Sequence, residues 1–216
     1  MPEPTAVLFD MDGTLIDSEP IWFETQARLL AGHGFELGHE HWYQVLGQPT
    51  EVSATYLVGI SGIPRTWQEF AEEVETAMVE QLSQGLELLP GAKELLVELQ
   101  AAGVPTALVS ASSRRIVDAC LGAIGADFFR HTVSGDDVER TKPDPQPYLL
   151  AAELLGVDPA DCVVIEDSPI GTTSGAAAGC RVLAVPHETV EVPDLPRVTK
   201  ASSLDGVNLA YLSTLA

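Results

Sequence analysis

The chain has 216 residues, of which 45% are hydrophobic, and its formal net charge is −21 with only 11 lysine and arginine residues. This length suits one sizeable domain, or one domain that carries a smaller insert. The charge argues against nucleic acid or an anionic membrane as a partner, because both are bound through basic patches, and an anionic small molecule would need a local positive group or a bound cation.

The first predicted element is a buried strand, "AVLFD" at residues 6–10, and helical sequence follows it. The stretch 16–88 contains two helical patterns, "PIWFETQARLLAGHG" and "TWQEFAEEVETAMVEQLSQG". The second begins with Thr66 and Glu69 at the spacing of a capping box. Its apolar residues recur every three or four positions and predict one amphipathic face; they are Trp67, Phe70, Val74, Met78 and Leu82. We therefore predict a small all-helical domain over residues 16–88, inserted after the first strand.

Strands and helices alternate in the remainder of the chain. Three further apolar runs predict strands, namely "TALVS" at 106–110, "CVVIED" at 162–167 and "RVLAVP" at 181–186, and helical patterns such as "PGAKELLVELQAAG" lie between them. Apolar runs of this length suit parallel strands that are buried on both faces, and the alternation builds βαβ units. The sequence therefore predicts an α/β fold, with a doubly wound, Rossmann-like parallel sheet formed by residues 1–15 and 89–216.

Polar residues close three of the predicted strands, and in an open parallel sheet ligands bind at the carboxyl ends of the strands. The residues concerned are Asp10 with Asp12, Ser110, and Glu166 with Asp167. A structural explanation also exists for each motif, because Asp-Gly is common in turns, and Ser110 or Asp167 could simply cap the helix that follows. The hydroxyl of Ser110 and the backbone N–H groups after it would equally form an anion site, with Arg114 or Arg115 nearby.

A cluster of carboxylates at neighbouring strand ends would repel itself without a positive group. Mg²⁺ would relieve this repulsion, because it is a hard cation that prefers oxygen ligands. Lys142, one of three lysines, lies in "ERTKPDP", where the prolines restrain the loop that presents it. It is either a solvated lysine or a group that neutralises a carboxylate or a phosphate oxygen.

Four motifs, in this order, resemble those of the haloacid dehalogenase superfamily. They are "DMDGT" after the first strand, Ser110 at the end of the second, Lys142 before a proline, and "EDS" after a later strand. The helical insert resembles the C1-type cap domain of that superfamily. The segments "EDSPIG" and "AAAGCRVLAV" are similar to the subgroup that holds β-phosphoglucomutase and phosphoglycolate or sugar-phosphate phosphatases. The resemblance implies that the cap surface sets substrate specificity.

The resemblance also implies a role for each site residue. Asp10 would be the nucleophile that forms an aspartyl-phosphate, and Asp12 the general acid and base. Mg²⁺ would be held by Asp10, the backbone carbonyl of Asp12 and Asp167, with Glu166 acting through water. The groups that would bind the substrate phosphate are Asp10, Gly13, Thr14, Ser110, Ala111 and Lys142.

The choice of reaction rests on what the family's other branches require. Dehalogenases of the superfamily lack the second aspartate of the first motif, so Asp12 favours phosphoryl transfer. Phosphonate hydrolases carry a lysine in the cap, and residues 16–88 contain none. Mutases carry a cap arginine near the segment that resembles "VLGQPTEV", where this chain has Gln48 and Pro49. We therefore predict a Mg²⁺-dependent phosphatase for a small sugar or polyol phosphate, with a β-phosphoglucomutase-like mutase as the alternative and a non-catalytic binding protein as a third possibility.

The remaining features predict the protein's surroundings. Three widely spaced cysteines among apolar residues predict reduced core thiols rather than disulfides or a zinc site. No apolar run reaches the roughly 18 residues of a membrane span, and "MPEPTAV" lacks the features of a signal peptide. We therefore expect a cytoplasmic enzyme that binds a small phosphate ester, without nucleic acid or membrane partners, and a monomer by default.

Overall fold

A computed structural model describes residues 3–45, 50–83, 85–187 and 190–215, and these form two compact units. The larger comprises Met1–Asp17 with Leu86–Ala216, and the smaller is Ser18–Gly85. The sequence places these boundaries after residues 15 and 88. Ile16 instead belongs to the larger unit, because it forms bridges with Asp12 and Leu88. Gln48 and Pro49, on which the argument against a mutase rests, lie outside the described residues.

The larger unit contains a parallel sheet of six strands, in the order β3-β2-β1-β4-β5-β6. The strands are β1 (Ala6–Phe9), β2 (Thr106–Val109), β3 (His131–Val133), β4 (Cys162–Glu166), β5 (Arg181–Ala184) and β6 (Val198–Lys200). This order is that of a doubly wound sheet, whose ligand crevice opens at the carboxyl ends where the chain reverses direction across the sheet. The predicted α/β fold is confirmed.

The central strands are those that the apolar runs predict. Every residue of β1, β2, β4 and β5 is buried, and Leu8 in β1 pairs with Ala107 on one side and Val164 on the other. The strands β3 and β6 are not predicted from the sequence. Each has three residues, and most of them are only half-buried, so neither shows a continuous apolar run.

The helices of the larger unit begin and end at residues suited to those positions. They are α5 (Ala92–Ala102), α6 (Arg114–Ile124), α7 (Gln146–Leu155), α8 (Pro169–Ala177) and α9 (Leu209–Leu212). The hydroxyl of Ser168 accepts a hydrogen bond from the backbone N–H of Gly171 and caps α8, whose first residue is proline. Single 3₁₀ turns occur at Ala126–Phe128, Gly135–Asp137 and Pro159–Asp161.

The smaller unit is all-helical in its described residues. It contains α1 (Glu19–Gly32), α2 (Trp42–Val45), α3 (Thr50–Ser61) and α4 (Trp67–Leu82), with a 3₁₀ turn at His39–His41. Both hydrogen bonds of the predicted capping box, between Thr66 and Glu69, are present at the start of α4. Four of the five predicted apolar residues of α4 are buried. Trp67 is only half-buried, because it is the first residue of α4.

Two further features bear on the predicted surroundings of the protein. None of the helices in the described ranges is both long and apolar enough to cross a membrane; the cytoplasmic location stays a prediction. The three cysteines, Cys120, Cys162 and Cys180, are buried and form no disulfide, and burial raises the pKa of each thiol.

Gly91, which precedes α5, offers a test of the packing of the larger unit. Its φ is +83°, and a β-carbon at this position would overlap the backbone carbonyl of Leu204. We expect Gly91→Ala to lower the free energy of unfolding by about 3 kcal/mol, since left-handed strain and overpacking add. Urea denaturation measures the loss.

Gly103 at the other end of α5 provides the matched control. Its φ is +72°, but a β-carbon there would meet nothing within 4 Å. We expect Gly103→Ala to cost only the conformational strain, about 1 kcal/mol. Equal losses for the two variants would contradict the role assigned to the contact with Leu204.

Candidate active site

The carboxyl ends of three adjacent strands bring the predicted site residues together. Asp10 follows β1, Ser110 follows β2, and Glu166 is the last residue of β4, while β1 lies between the other two strands. Lys142 reaches them from the loop between β3 and α7. All four side chains are buried, and Glu166 is 0% exposed. Acidic and basic side chains are rarely buried to this extent unless they are paired.

The ammonium group of Lys142 joins the three strand ends. Its Nζ donates to Asp10 Oδ1 at 2.5 Å, to Glu166 Oε1 at 2.8 Å and to the backbone carbonyl of Val109 at 2.9 Å. An ammonium group has three donors, so all of them are used. Burial by itself would lower the pKa of Lys142, but the two carboxylates outweigh burial and raise the pKa above its ordinary value. Lys142 therefore remains a cation inside the site.

The acidic groups outnumber this one cation. Burial, with further contributions from Glu166 and Asp12, raises the pKa of Asp10 from 3.8 to about 7, although Lys142 acts in the opposite direction. Burial and the carboxylates of Asp10 and Glu166 also raise the pKa of Asp167 well above its ordinary value. The site therefore carries surplus negative charge that a further positive group would stabilise.

Three carboxylates lie close enough to hold a metal ion. One oxygen each from Asp10, Glu166 and Asp167 lies within 4.8 Å of the others. A set of carboxylate oxygens suits a hard divalent cation. Gly13 permits the arrangement, because its φ is +82° and a β-carbon there would overlap the carboxylate of Asp167. The hydroxyl of Thr14 donates to Asp167 Oδ1 at 3.2 Å, so the structure places Thr14 beside the acidic cluster.

Asp12 lies in different surroundings from Asp10. It is half-buried, and its Oδ2 accepts hydrogen bonds from Ser110 Oγ at 3.3 Å and Ser112 Oγ at 3.0 Å. Ser112 was not predicted from the sequence, although "SAS" at 110–112 directly follows β2. Ala111 is exposed in the bend after β2, and Gly135 packs against its carbonyl so closely that a β-carbon on Gly135 would overlap it.

Two other side chains differ from what the sequence predicts. The guanidinium of Arg114, expected near an anion site, donates to Thr132 Oγ1 at 2.7 Å and pairs with Asp137, which ties it to the region around β3. Tyr148, which was not predicted, is fully buried and donates from its hydroxyl to Glu166 Oε1 at 2.9 Å. The only sequence signal for Tyr148 is its position six residues after Lys142. The structure places it on the buried face of α7.

Replacement of Lys142 tests its importance for stability. Lys142→Met retains most of the volume but leaves Asp10 and Glu166 buried without their cation. We expect the free energy of unfolding near neutral pH to fall by about 3 kcal/mol, as urea denaturation would show. Lys93→Met, which alters an exposed lysine in α5, should change it by no more than about 0.5 kcal/mol. A loss at Lys142 as small as that at Lys93 would contradict the assigned role.

The raised pKa of Asp10 predicts the direction of a pH effect on stability. The native carboxyl group holds its proton more tightly than the unfolded one, so ionisation between pH 3.8 and about 7 weakens the native state. We expect the stability of the wild-type protein relative to Asp10→Asn, without divalent cations, to fall as the pH rises through this window. Urea denaturation of both proteins across the window measures the difference, and a rise would be the opposite of the expected sign.

Comparison with known families and proteins agrees with this geometry. The sequence model of the haloacid dehalogenase-like hydrolases matches residues 7–185. Hexitol phosphatase A of Escherichia coli is 37% identical over 195 residues, which cover 88% of this chain and 87% of that protein. A phosphorylated carbohydrates phosphatase of Thermotoga maritima is 32% identical over 184 residues, which cover 84% and 85% of the two chains.

A solved structure shows the same relationship. It is that of a hydrolase of this family from Deinococcus radiodurans, with bound phosphate and sodium, and it is 31% identical to this chain with a TM-score of 0.69. The match covers 92% of each chain. The family match, the identities and the site at the ends of β1, β2 and β4 lead to one conclusion: this chain belongs to the haloacid dehalogenase-like hydrolases.

Proposed function

We propose that the protein is a Mg²⁺-dependent phosphatase that hydrolyses a small phosphorylated metabolite of the sugar or polyol type through an aspartyl-phosphate on Asp10. The observation that carries the proposal is the contrast between two aspartates. Asp10 is buried against a lysine ammonium, and Asp12, two residues later, is half-buried beneath two serine hydroxyls. Enzymes that use one carboxyl group as a nucleophile and another to move protons need such distinct environments.

Asp10 would act as the nucleophile in the first step. A carboxylate oxygen of Asp10 attacks the phosphorus atom, and the bond from phosphorus to the leaving oxygen breaks. Asp12 delivers a proton to that leaving oxygen, so that an alcohol departs. Lys142, with its Nζ 2.5 Å from Asp10 Oδ1, favours the ionised nucleophile and offsets the charge of the phosphoryl oxygens.

Water completes the cycle in the second step. Asp12, now a carboxylate, takes a proton from water while the water oxygen attacks phosphorus. The bond between phosphorus and Asp10 breaks, which restores the carboxylate and releases inorganic phosphate. We propose that Ser110, with the backbone of Gly13, Thr14 and Ala111, orients the phosphoryl group in both steps.

A divalent cation would complete the charge balance. When bound, Mg²⁺ supplies positive charge to the phosphoryl oxygens and to the surplus carboxylates. We propose that Asp10, Asp167 and the backbone carbonyl of Asp12 hold it. The raised pKa of both Asp10 and Asp167 supports a bound cation. The relative from Deinococcus radiodurans has a structure with bound phosphate and sodium.

The substrate class is supported by the relatives. Those cited are a hexitol phosphatase and a phosphatase of phosphorylated carbohydrates. They do not favour the mutase alternative, for which Gln48 and Pro49 also replace the expected arginine. We propose that the unit Ser18–Gly85 serves as the cap domain and selects the substrate. The absence of nucleic acid or membrane partners, and a monomeric state, stay predictions.

Phosphate release from a panel of substrates tests the proposal. The panel contains sugar phosphates, polyol phosphates, phosphoglycolate and nucleoside monophosphates, each with Mg²⁺ and with a chelator. We expect Mg²⁺-dependent release, and we expect Asp10→Asn or Asp12→Asn to lower kcat/KM by about 10⁴-fold. Asp17→Asn, which alters an exposed aspartate nearby, should leave kcat/KM within about twofold.

Trapping tests the covalent intermediate. Borohydride reduction of acid-quenched enzyme should convert Asp10 of the phosphorylated fraction to homoserine, which peptide mass spectrometry detects. Release that persists in Asp10→Asn would exclude this nucleophile. Interconversion of hexose 1- and 6-phosphates without free phosphate would support the mutase instead.

A further inference from the structure

We propose that the Tyr148 hydroxyl and Glu166 act together as a positioning pair, in which Tyr148 fixes Glu166 and Glu166 holds Lys142 against Asp10. Glu166 then serves the lysine and not the metal ion. The proposal deepens the phosphatase function and rests on it for its effect on turnover. Its geometric part concerns only side chains of the larger unit.

The hydrogen bonds of Glu166 give the first argument. Oε1 accepts from Lys142 Nζ at 2.8 Å and from Tyr148 Oη at 2.9 Å. Oε2 accepts from the backbone N–H of Asp167 at 3.1 Å, and from the backbone N–H and hydroxyl of Ser168 at 3.0 and 2.9 Å. A carboxylate offers about four lone-pair sites, so the five hydrogen bonds that Glu166 accepts saturate it with protein donors. A cation, or a water bound to one, would therefore have to displace one of these donors from Glu166.

The packing around Glu166 gives the second argument. A β-carbon at Gly171, in the first turn of α8, would overlap the Glu166 carboxylate. The amino end of α8, where the helix dipole favours negative charge, therefore closes on one side of Glu166. Tyr148 from α7 reaches its Oε1. Two helices thus hold Glu166 in one orientation.

The position of Tyr148 relative to Lys142 gives the third argument. The Nζ of Lys142 lies 5.0 Å from the centroid of the Tyr148 ring, and both groups donate to the same oxygen of Glu166. Loss of the hydroxyl would leave Lys142 as the one donor to Glu166 Oε1 among the described residues. We expect the ammonium to shift toward Glu166 and away from Asp10, because the shared oxygen then attracts it more strongly.

Tyr148→Phe tests the pair, because it removes the hydroxyl and keeps the ring. The first readout is the Nζ signal of Lys142 in ¹⁵N-lysine-labelled protein, which is resolvable because the chain has three lysines and the other two, Lys93 and Lys200, are exposed. We expect this signal to shift and its hydrogen exchange to quicken by about threefold. We also expect kcat to fall about tenfold, with KM and the Kd for Mg²⁺ from calorimetry within about twofold.

Thr172→Val provides the matched control. Thr172 lies in α8, is fully buried, and its hydroxyl has no hydrogen-bond partner among the described residues. Its replacement by valine removes a buried hydroxyl of the same unit without breaking a hydrogen bond among the described residues. We expect the Lys142 signal, kcat and the Kd for Mg²⁺ to stay at the wild-type values.

Each result supports or overturns the proposal. An unchanged Nζ signal of Lys142 in Tyr148→Phe overturns the proposal, even if kcat falls. A higher Kd for Mg²⁺ in this variant would show that Glu166 serves the cation, which also overturns the proposal. If Tyr148→Phe does not fold, Gly171→Ala displaces Glu166 from the other side and must shift the same signal. The Nζ signal of Lys142 can be measured without turnover. An inactive wild-type enzyme would therefore refute the phosphatase function, while the shift of this signal in Tyr148→Phe would still test the positioning pair.

Discussion

The buried ammonium of Lys142 is the contact on which the rest of the site depends. It donates to the ends of all three strands that form the site: to Asp10 after β1, to the carbonyl of Val109 in β2 and to Glu166 in β4. Parallel strands end at one edge of the sheet, so their terminal carboxylates meet there. Without a cation among them, these acids could not be buried together in ionised form.

The sheet concentrates more negative charge than one lysine can balance. The raised pKa of Asp10 and of Asp167 reflects this surplus. This surplus costs stability at neutral pH, since burial and mutual repulsion disfavour the ionised form of these carboxyl groups. The same surplus and the net charge of −21 would repel an anionic substrate. In the proposed enzyme the attraction therefore has to come from Lys142, from backbone N–H groups and from a bound cation.

The two acids of the "ED" motif, adjacent in sequence, have separate surroundings. Glu166 is enclosed by donors from Lys142, Tyr148 and the start of α8, whereas Asp167 lies against Gly13 and Thr14 of the first motif. In the proposed enzyme this separation assigns one acid to the lysine and the other to the cation. It also explains why small residues stand at positions 13 and 171, where a β-carbon would overlap a carboxylate.

The sequence by itself determined the α/β fold and the four central strands, because both follow from local apolar runs and the helical patterns between them. The resemblance of its motifs also indicated the family and the candidate site residues, which are Asp10, Asp12, Ser110, Lys142, Glu166 and Asp167. The sequence did not reveal the edge strands β3 and β6, which are too short and too exposed to leave an apolar run. Only the tertiary structure decided which side chains meet. The hydroxyl of Ser112 donates a hydrogen bond to Asp12, 100 residues away in sequence. The hydroxyl of Tyr148 donates one to Glu166, 18 residues away. Such contacts arise from the order of strands in the sheet, and no local pattern encodes them.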